Sequence, residues 1–127
     1  MRWLLVPLFV FHGLIHLVGV PLVWGGLIAG KGGATLVPLA DLALRVAGGA
    51  WLLASLALLL AAFGVAFEQD WWRPVALLAA AVSQVLIVLW WGDARAGTVA
   101  NVLVLAAVVW RPGVAVWRSA PAADARP

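Results

Sequence analysis

The stretch Trp3–Trp24, WLLVPLFVFHGLIHLVGVPLVW, contains no Asp, Glu, Lys or Arg. A helix needs roughly 20 predominantly apolar residues to cross a bilayer core, and this run has that length. His12 and His16 stand four residues apart inside it, which puts them one turn apart on a single helix face. An ionisable side chain at membrane depth is expensive. It is therefore expected to face the protein interior and find a partner there.

Working outward, three more apolar runs follow. They are Val46–Phe67 (VAGGAWLLASLALLLAAFGVAF), Pro74–Trp91 (PVALLAAAVSQVLIVLWW) and Ala94–Trp110 (ARAGTVANVLVLAAVVW). The last is the shortest and reaches past Pro112 toward Trp117. None alternates with the period of a barrel strand, so helices are the reading that satisfies the backbone in lipid. Indole rings prefer the membrane interface. Trp3, Trp24, Trp71, Trp72, Trp90, Trp91, Trp110 and Trp117 all sit near run ends and are expected to be anchors there, while Trp51 lies inside its run and is expected to pack.

Composition agrees. The chain has 127 residues, 66% hydrophobic and 10% charged, where a soluble domain carries roughly 25% charged residues. So short a chain has too little interior to hide that apolar surface from water. The eight Lys and Arg are scattered singly, so the net charge of +3 describes no nucleic-acid surface. With no cysteine, disulfides, thiolate metal sites and CxxC redox pairs are excluded. The first run is longer than a signal-peptide core and is expected to stay in the chain.

The links differ. Gly25–Asp41 is long and glycine-rich, with room for a short interfacial or re-entrant piece, and Pro38 suits the first turn of helix two. Asp41 and Arg45 are spaced to pair on that helix. Glu68–Arg73 is a tight link, and Gly92-Asp93 is tighter, with Asp93 placed to cap helix four. The tail from Ser119, SAPAADARP, reads as disordered. Arg2, Arg73, Arg111, Arg118 and Arg126 fall on one side, and Lys31, Arg45 and Arg95 on the other, which favours both termini inside.

Depth turns isolated polar residues into a constellation. His16 lies eight residues before Trp24, and Gln84 lies seven before Trp91. Asn101 lies at a comparable level of helix four, one turn past Gly97 and Thr98. Arg45, Gly48, Leu52 and Ser55 line up on helix two. Small residues let helices approach, and polar groups then bond across the contact. The expectation is a polar layer in the outer half of the bundle, with Asp93, Arg45 and Arg95 at its mouth. Gln84, Asn101, Thr98 and Ser55 serve equally well as interhelical glue, at about 0.6 kcal/mol per bond. Ser83, beside Gln84, is expected on a different face.

Two histidines at this spacing can ligate one metal ion from one helix face. A third and fourth ligand would have to come from Asp93, Gln84 or Asn101. The residues between the histidines are Gly13, Leu14 and Ile15, so the HExxH arrangement is absent. Adjacent turns of one helix cannot ligate both faces of a haem, although two copies of the chain could. No GxSxG, GxGxxG, phosphate-binding loop or carboxylate pair occurs, so no catalytic residue is assigned. A quinone, lipid or other amphipathic ligand needs only an apolar slot with a few polar groups.

The segments FHGLIHLVG, Phe11–Gly19, and QVLIVLWWGDARAGTVANVLVL, Gln84–Leu105, resemble a group of small four-helix bacterial membrane proteins, some labelled transporter permeases. GGAWLLASLALLL, Gly48–Leu60, is similar in pattern. The resemblance implies a bacterial inner-membrane location and draws attention to His12, His16, Gln84, Asp93, Thr98 and Asn101. It implies no established activity. DoxX-like proteins share the helix count alone.

The sequence thus predicts an all-α integral membrane protein, an antiparallel four-helix transmembrane bundle. One domain spans 1–118, with helices near 3–24, 41–67, 72–91 and 94–116, and a disordered tail spans 119–127. The expected site comprises His12, His16, Gln84, Asn101, Thr98, Asp93 and Arg45, and would bind or pass a small or amphipathic ligand. An accessory role in a homo-oligomer or beside a larger membrane subunit is equally open. The rival is a metal- or haem-dependent redox protein using His12 and His16.

Overall fold

The computed structural model describes residues 2–29 and 35–109, with side chains from 3 to 24 and from 35 onward. Among these residues the chain is helical, with no strand. α1 is Arg2–Ala29, α2 Asp41–Ala66, α3 Trp72–Leu89, α4 Trp91–Ala94 and α5 Gly97–Val109.

Three helices are long and apolar enough to cross a membrane, over Trp3–Trp24, Asp41–Ala66 and Trp72–Leu89. α5 is apolar but has 13 residues, about 20 Å at the usual rise of 1.5 Å per residue. The expected extension of helix four toward Trp117, and the tail from Ser119, lie outside the described residues.

α1 runs five residues past Trp24, through GGLIA, where a link was expected. Its hydrogen bonding tolerates Gly25 and Gly26 at a cost of about 1 kcal/mol each. α2 begins at Asp41, whose carboxylate suits the positive end of the helix dipole. Ala40 is its extended N-cap, so Pro38 precedes the helix instead of opening it. Asp41 and Arg45 are both exposed.

The α2–α3 link is tight, as the sequence predicts. Glu68 takes a φ of 56°. Its N–H donates to the Val65 carbonyl at 3.3 Å, and the Gln69 N–H donates to the Gly64 carbonyl at 2.8 Å. This paired closure is the Schellman arrangement, here with glutamate where glycine is commoner.

The next link differs from expectation. α3 stops at Leu89, and the short α4 turns the corner before α5 starts at Gly97. Asp93 lies inside α4, where its backbone N–H donates to the Trp90 carbonyl at 3.0 Å. It therefore does not cap α5, which starts at Gly97. The segment before α2 is tied to this corner, because the Leu36 N–H donates to the Leu89 carbonyl at 2.8 Å.

α1 packs mainly on α2, α2 on α3, and α3 on α5, while α1 and α5 meet more sparsely. Two apolar clusters form. One gathers Phe9, Leu58, Ala61, Ala76 and Val104, and the other Val23, Ala47, Trp51, Ile87 and Trp90. Trp90 is 1% exposed, so it is a core residue and not the interface anchor expected. Its neighbour Trp91 is 43% exposed. Trp51 packs, as expected.

Glycines set the α1–α2 approach. The Trp51 ring occupies the place where a Cβ on Gly19 would sit, and the Trp24 ring does the same at Gly48. Each helix thus sends an indole onto a bare patch of the other, the close packing that small residues permit. Large apolar side chains such as Phe11, Val18, Leu53, Leu78 and Val99 cover the outward faces.

Candidate functional site

Between the two apolar clusters lies a buried polar layer of His12, His16, Ser55, Ser83 and Asn101. Its hydrogen bonds can be given a direction from chemistry alone. A carbonyl only accepts, so His16 Nδ1–H donates to the His12 carbonyl at 2.9 Å. The neutral imidazole then has an acceptor at Nε2, which receives the Ser83 hydroxyl proton at 2.7 Å. Ser83 Oγ in turn accepts from Asn101 Nδ2 at 3.0 Å.

Asn101 is the hub. Its Nδ2 also donates to Gln84 Oε1 at 3.1 Å, and its Oδ1 accepts from His12 Nε2 at 2.8 Å. Gln84 Nε2 passes the chain on to Thr98 Oγ1 at 3.2 Å. Every amide, hydroxyl and imidazole in this set is used in one consistent polarity. His12 Nδ1 is left as a lone pair with no hydrogen bond among the described residues. Ser55 stands aside from the hub and donates to the Gly13 carbonyl at 2.7 Å, fastening α2 to α1.

The structure therefore brings together five of the seven expected residues: His12, His16, Gln84, Thr98 and Asn101. Asp93 is exposed and lies on the rim of a cleft beside them. Arg45 is exposed on α2 and is not part of that cleft; its carbonyl accepts from the Trp24 indole at 3.3 Å. Of the expected mouth, only Asp93 lines the cleft.

Ser83 corrects the sequence reading. It is fully buried, and like its neighbour Gln84 it bonds Asn101. The overlooked signal was the stripe of small residues on α3. Ala76, Ala79, Ala80 and Ser83 are all buried at helical spacing and continue to Ile87.

The cleft holds about 180 Å³ and lies between α1 and the corner that runs from Trp90 through α4 to Gly97. Ile15, Val18 and Leu22 line it from α1, and Asp93, Ala96 and Gly97 from the opposite side. His12, His16, Trp51 and Trp90 complete the wall. An aromatic ladder runs along it, with ring centroids 4.6 Å apart for His12 and His16, 5.0 Å for His16 and Trp51, and 6.3 Å for Trp51 and Trp90. Among the described residues the indole N–H groups of Trp51 and Trp90 are buried without a partner. Each such donor costs about 1–3 kcal/mol.

Two chemistries can be weighed against this geometry. Three of the four imidazole nitrogens are committed to protein partners, which leaves one nitrogen and the exposed carboxylate of Asp93 for a metal. Among the described residues no group of three or more His, Asp or Glu side chains is placed to hold a metal ion. Ser83, His16 and the His12 carbonyl have the connectivity of nucleophile, base and orienting group. Yet Ser83 Oγ also receives Asn101, is fully buried and does not line the cleft. A substrate carbonyl has no room beside it.

Comparison of the chain with family models, with curated proteins and with solved structures found no match.

Proposed function

We propose that this chain is a multi-pass protein of the bacterial inner membrane, an antiparallel four-helix bundle with both termini cytoplasmic. In this reading the cleft between α1 and the α4 corner binds or passes an amphipathic ligand that enters sideways from lipid. The observation that carries this is the cleft itself. Its mainly apolar wall includes His12, whose Nδ1 is the one imidazole nitrogen without a hydrogen bond among the described residues. Pockets of this kind, apolar with a few convergent polar groups, are where amphipathic ligands bind.

Several observations support the membrane setting. Three helices have the length and apolarity to span, and their outward faces carry large apolar side chains. The excess of arginine on one side supports the orientation. The likeness of Phe11–Gly19 and Gln84–Leu105 to small four-helix bacterial membrane proteins supports the location. An accessory role beside a second copy or a larger membrane subunit is compatible with the same cleft.

The test is to extract wild-type protein into polymer-bounded native discs and identify co-purifying small molecules by mass spectrometry. Ala96→Phe, which places a ring in the cleft mouth, is run beside it. One compound class enriched with wild type and depleted with Ala96→Phe is the expected result. Identical extracts from two folded proteins would remove the ligand reading.

A further inference from the structure

We infer that the cleft takes a protonated amine, a compact ammonium head with at least one N–H, carried on an apolar tail that stays in the lipid. This rests on the proposal that the cleft is a ligand site, and it specifies the chemistry of the occupant.

The inner wall offers an acceptor. His12 is 3% exposed and lines the cleft. Its Nε2–H is spent on Asn101 Oδ1, so Nδ1 carries a lone pair. Among the described residues, the only side-chain polar atoms both unpartnered and fully enclosed are the Trp51 and Trp90 indole nitrogens. His12 Nδ1 also lacks a partner there, so it keeps accessible surface, and the opening that His12 lines is the cleft. Such a lone pair accepts from an N–H or an O–H and repels a carbonyl oxygen.

No lining side chain supplies a donor. His16 has both ring nitrogens committed, to the His12 carbonyl and to Ser83. The indole N–H groups of Trp51 and Trp90 are enclosed and out of a ligand's reach. In the first turn of α5, whose Gly97 edges the cleft, the Thr98 and Val99 N–H groups go to the Arg95 and Ala96 carbonyls. Apart from Asp93, the other lining side chains are apolar. A ligand therefore meets one imidazole lone pair and one carboxylate, and both accept.

Asp93 decides between a neutral donor and a charged one. It is exposed at the rim, is the only charged side chain lining the cleft, and enters no ion pair among the described residues. A carboxylate beside apolar walls attracts a cation and repels a carboxylate or phosphate head. A hydroxyl would satisfy His12 and leave Asp93 without a counter-charge, whereas an ammonium answers both. Size limits the head. A cavity of about 150 Å³ takes up one benzene, and this cleft holds about 180 Å³, room for one compact head and not for a long chain. The tail leaves past Ile15 and Val18, which line the cleft and are 63% and 67% exposed.

The experiment uses the full chain in nanodiscs of zwitterionic lipid at neutral pH, with empty discs as the blank. Equilibrium binding is measured for decylammonium, decyltrimethylammonium, decanol and decanoate. Asp93 and Ala96 are both exposed, so substitutions there leave the buried network intact. Decylammonium is expected to bind wild type saturably and to lose binding in Ala96→Phe. Asp93→Asn removes the charge and should weaken it about fivefold, the upper end for an exposed ion pair. Decyltrimethylammonium keeps the charge without an N–H and should bind about tenfold more weakly, the value of one hydrogen bond to a charged group. Decanol and decanoate should bind more weakly than decylammonium.

Three results overturn the inference while leaving the cleft a ligand site. One is decanol or decanoate binding as tightly as decylammonium in a manner abolished by Ala96→Phe. Another is decylammonium affinity unchanged by Asp93→Asn. The third is decyltrimethylammonium binding as tightly as decylammonium, which would remove His12 Nδ1 as the acceptor. If no probe shows binding sensitive to Ala96→Phe, the ligand reading and this inference fall together.

Discussion

Asn101→Leu removes the hub of the buried network while roughly keeping its bulk. Three hydrogen bonds vanish, those to His12 at 2.8 Å, Ser83 at 3.0 Å and Gln84 at 3.1 Å. Interhelical bonds in membrane proteins average about 0.6 kcal/mol, so their sum is about 2 kcal/mol. The variant also strands the His12 Nε2–H donor in a buried site, which adds about 1–3 kcal/mol. Ser83 and Gln84 each keep one other partner, so they add little. A loss of about 3–5 kcal/mol is therefore expected. Unfolding free energy measured by steric trapping in bicelles reads it directly. A double-mutant cycle with Ser83→Ala isolates the Asn101–Ser83 bond, with an expected coupling of about 0.6 to 1.7 kcal/mol. An Asn101→Leu variant within about 0.5 kcal/mol of wild type, the usual range for surface substitutions, together with strict additivity in the cycle, would refute the network.

Three other outcomes follow from the same structure. Gly19→Val drives a side chain into the Trp51 ring and should cost about 1–3 kcal/mol by overpacking, whereas Gly49→Ala, with open space around it, should be neutral or stabilising in the same assay. Elemental analysis and an absorption spectrum of gently purified protein should show neither stoichiometric metal nor a haem band; a band lost in a His12→Ala/His16→Ala variant would make the histidines ligands and restore the redox reading. Fluorescent and alkaline-phosphatase reporters fused at the C-terminus should report a cytoplasmic end, and an active phosphatase there would reverse the proposed orientation.

The helices were legible because an apolar run is a local property. Their interiors match expectation, and the misses lie at ends, at Ala29 and at the α3–α4 corner, where local turn chemistry decides. The polar layer was legible through depth. His12, His16, Gln84, Thr98 and Asn101 stand at compatible heights in their own runs, and all five meet. Rotation about the helix axis was less legible. Depth alone separates Ser83 from Gln84, whereas both bond Asn101, and the alanines before Ser83 mark the buried stripe. Height alone puts Arg45 at the mouth, but it is exposed and lies outside the cleft.

Trp90 shows where composition misleads. Paired with Trp91 at a run end, it has every sign of an interface anchor. The α4 corner buries it and leaves only its neighbour exposed. The short helix that causes this carries no hydrophobic signature of its own.

By itself the sequence determined that the chain makes long apolar helices, and at what depth each carries its polar groups. Helical hydrogen bonds close within a few residues, so run length and composition suffice. Only the tertiary structure decided which side of each helix faces inward, which partner each imidazole nitrogen takes, and where a cleft opens beside the buried network. Those properties belong to contacts between α1, α2, α3 and α5, and no single stretch of the chain contains them.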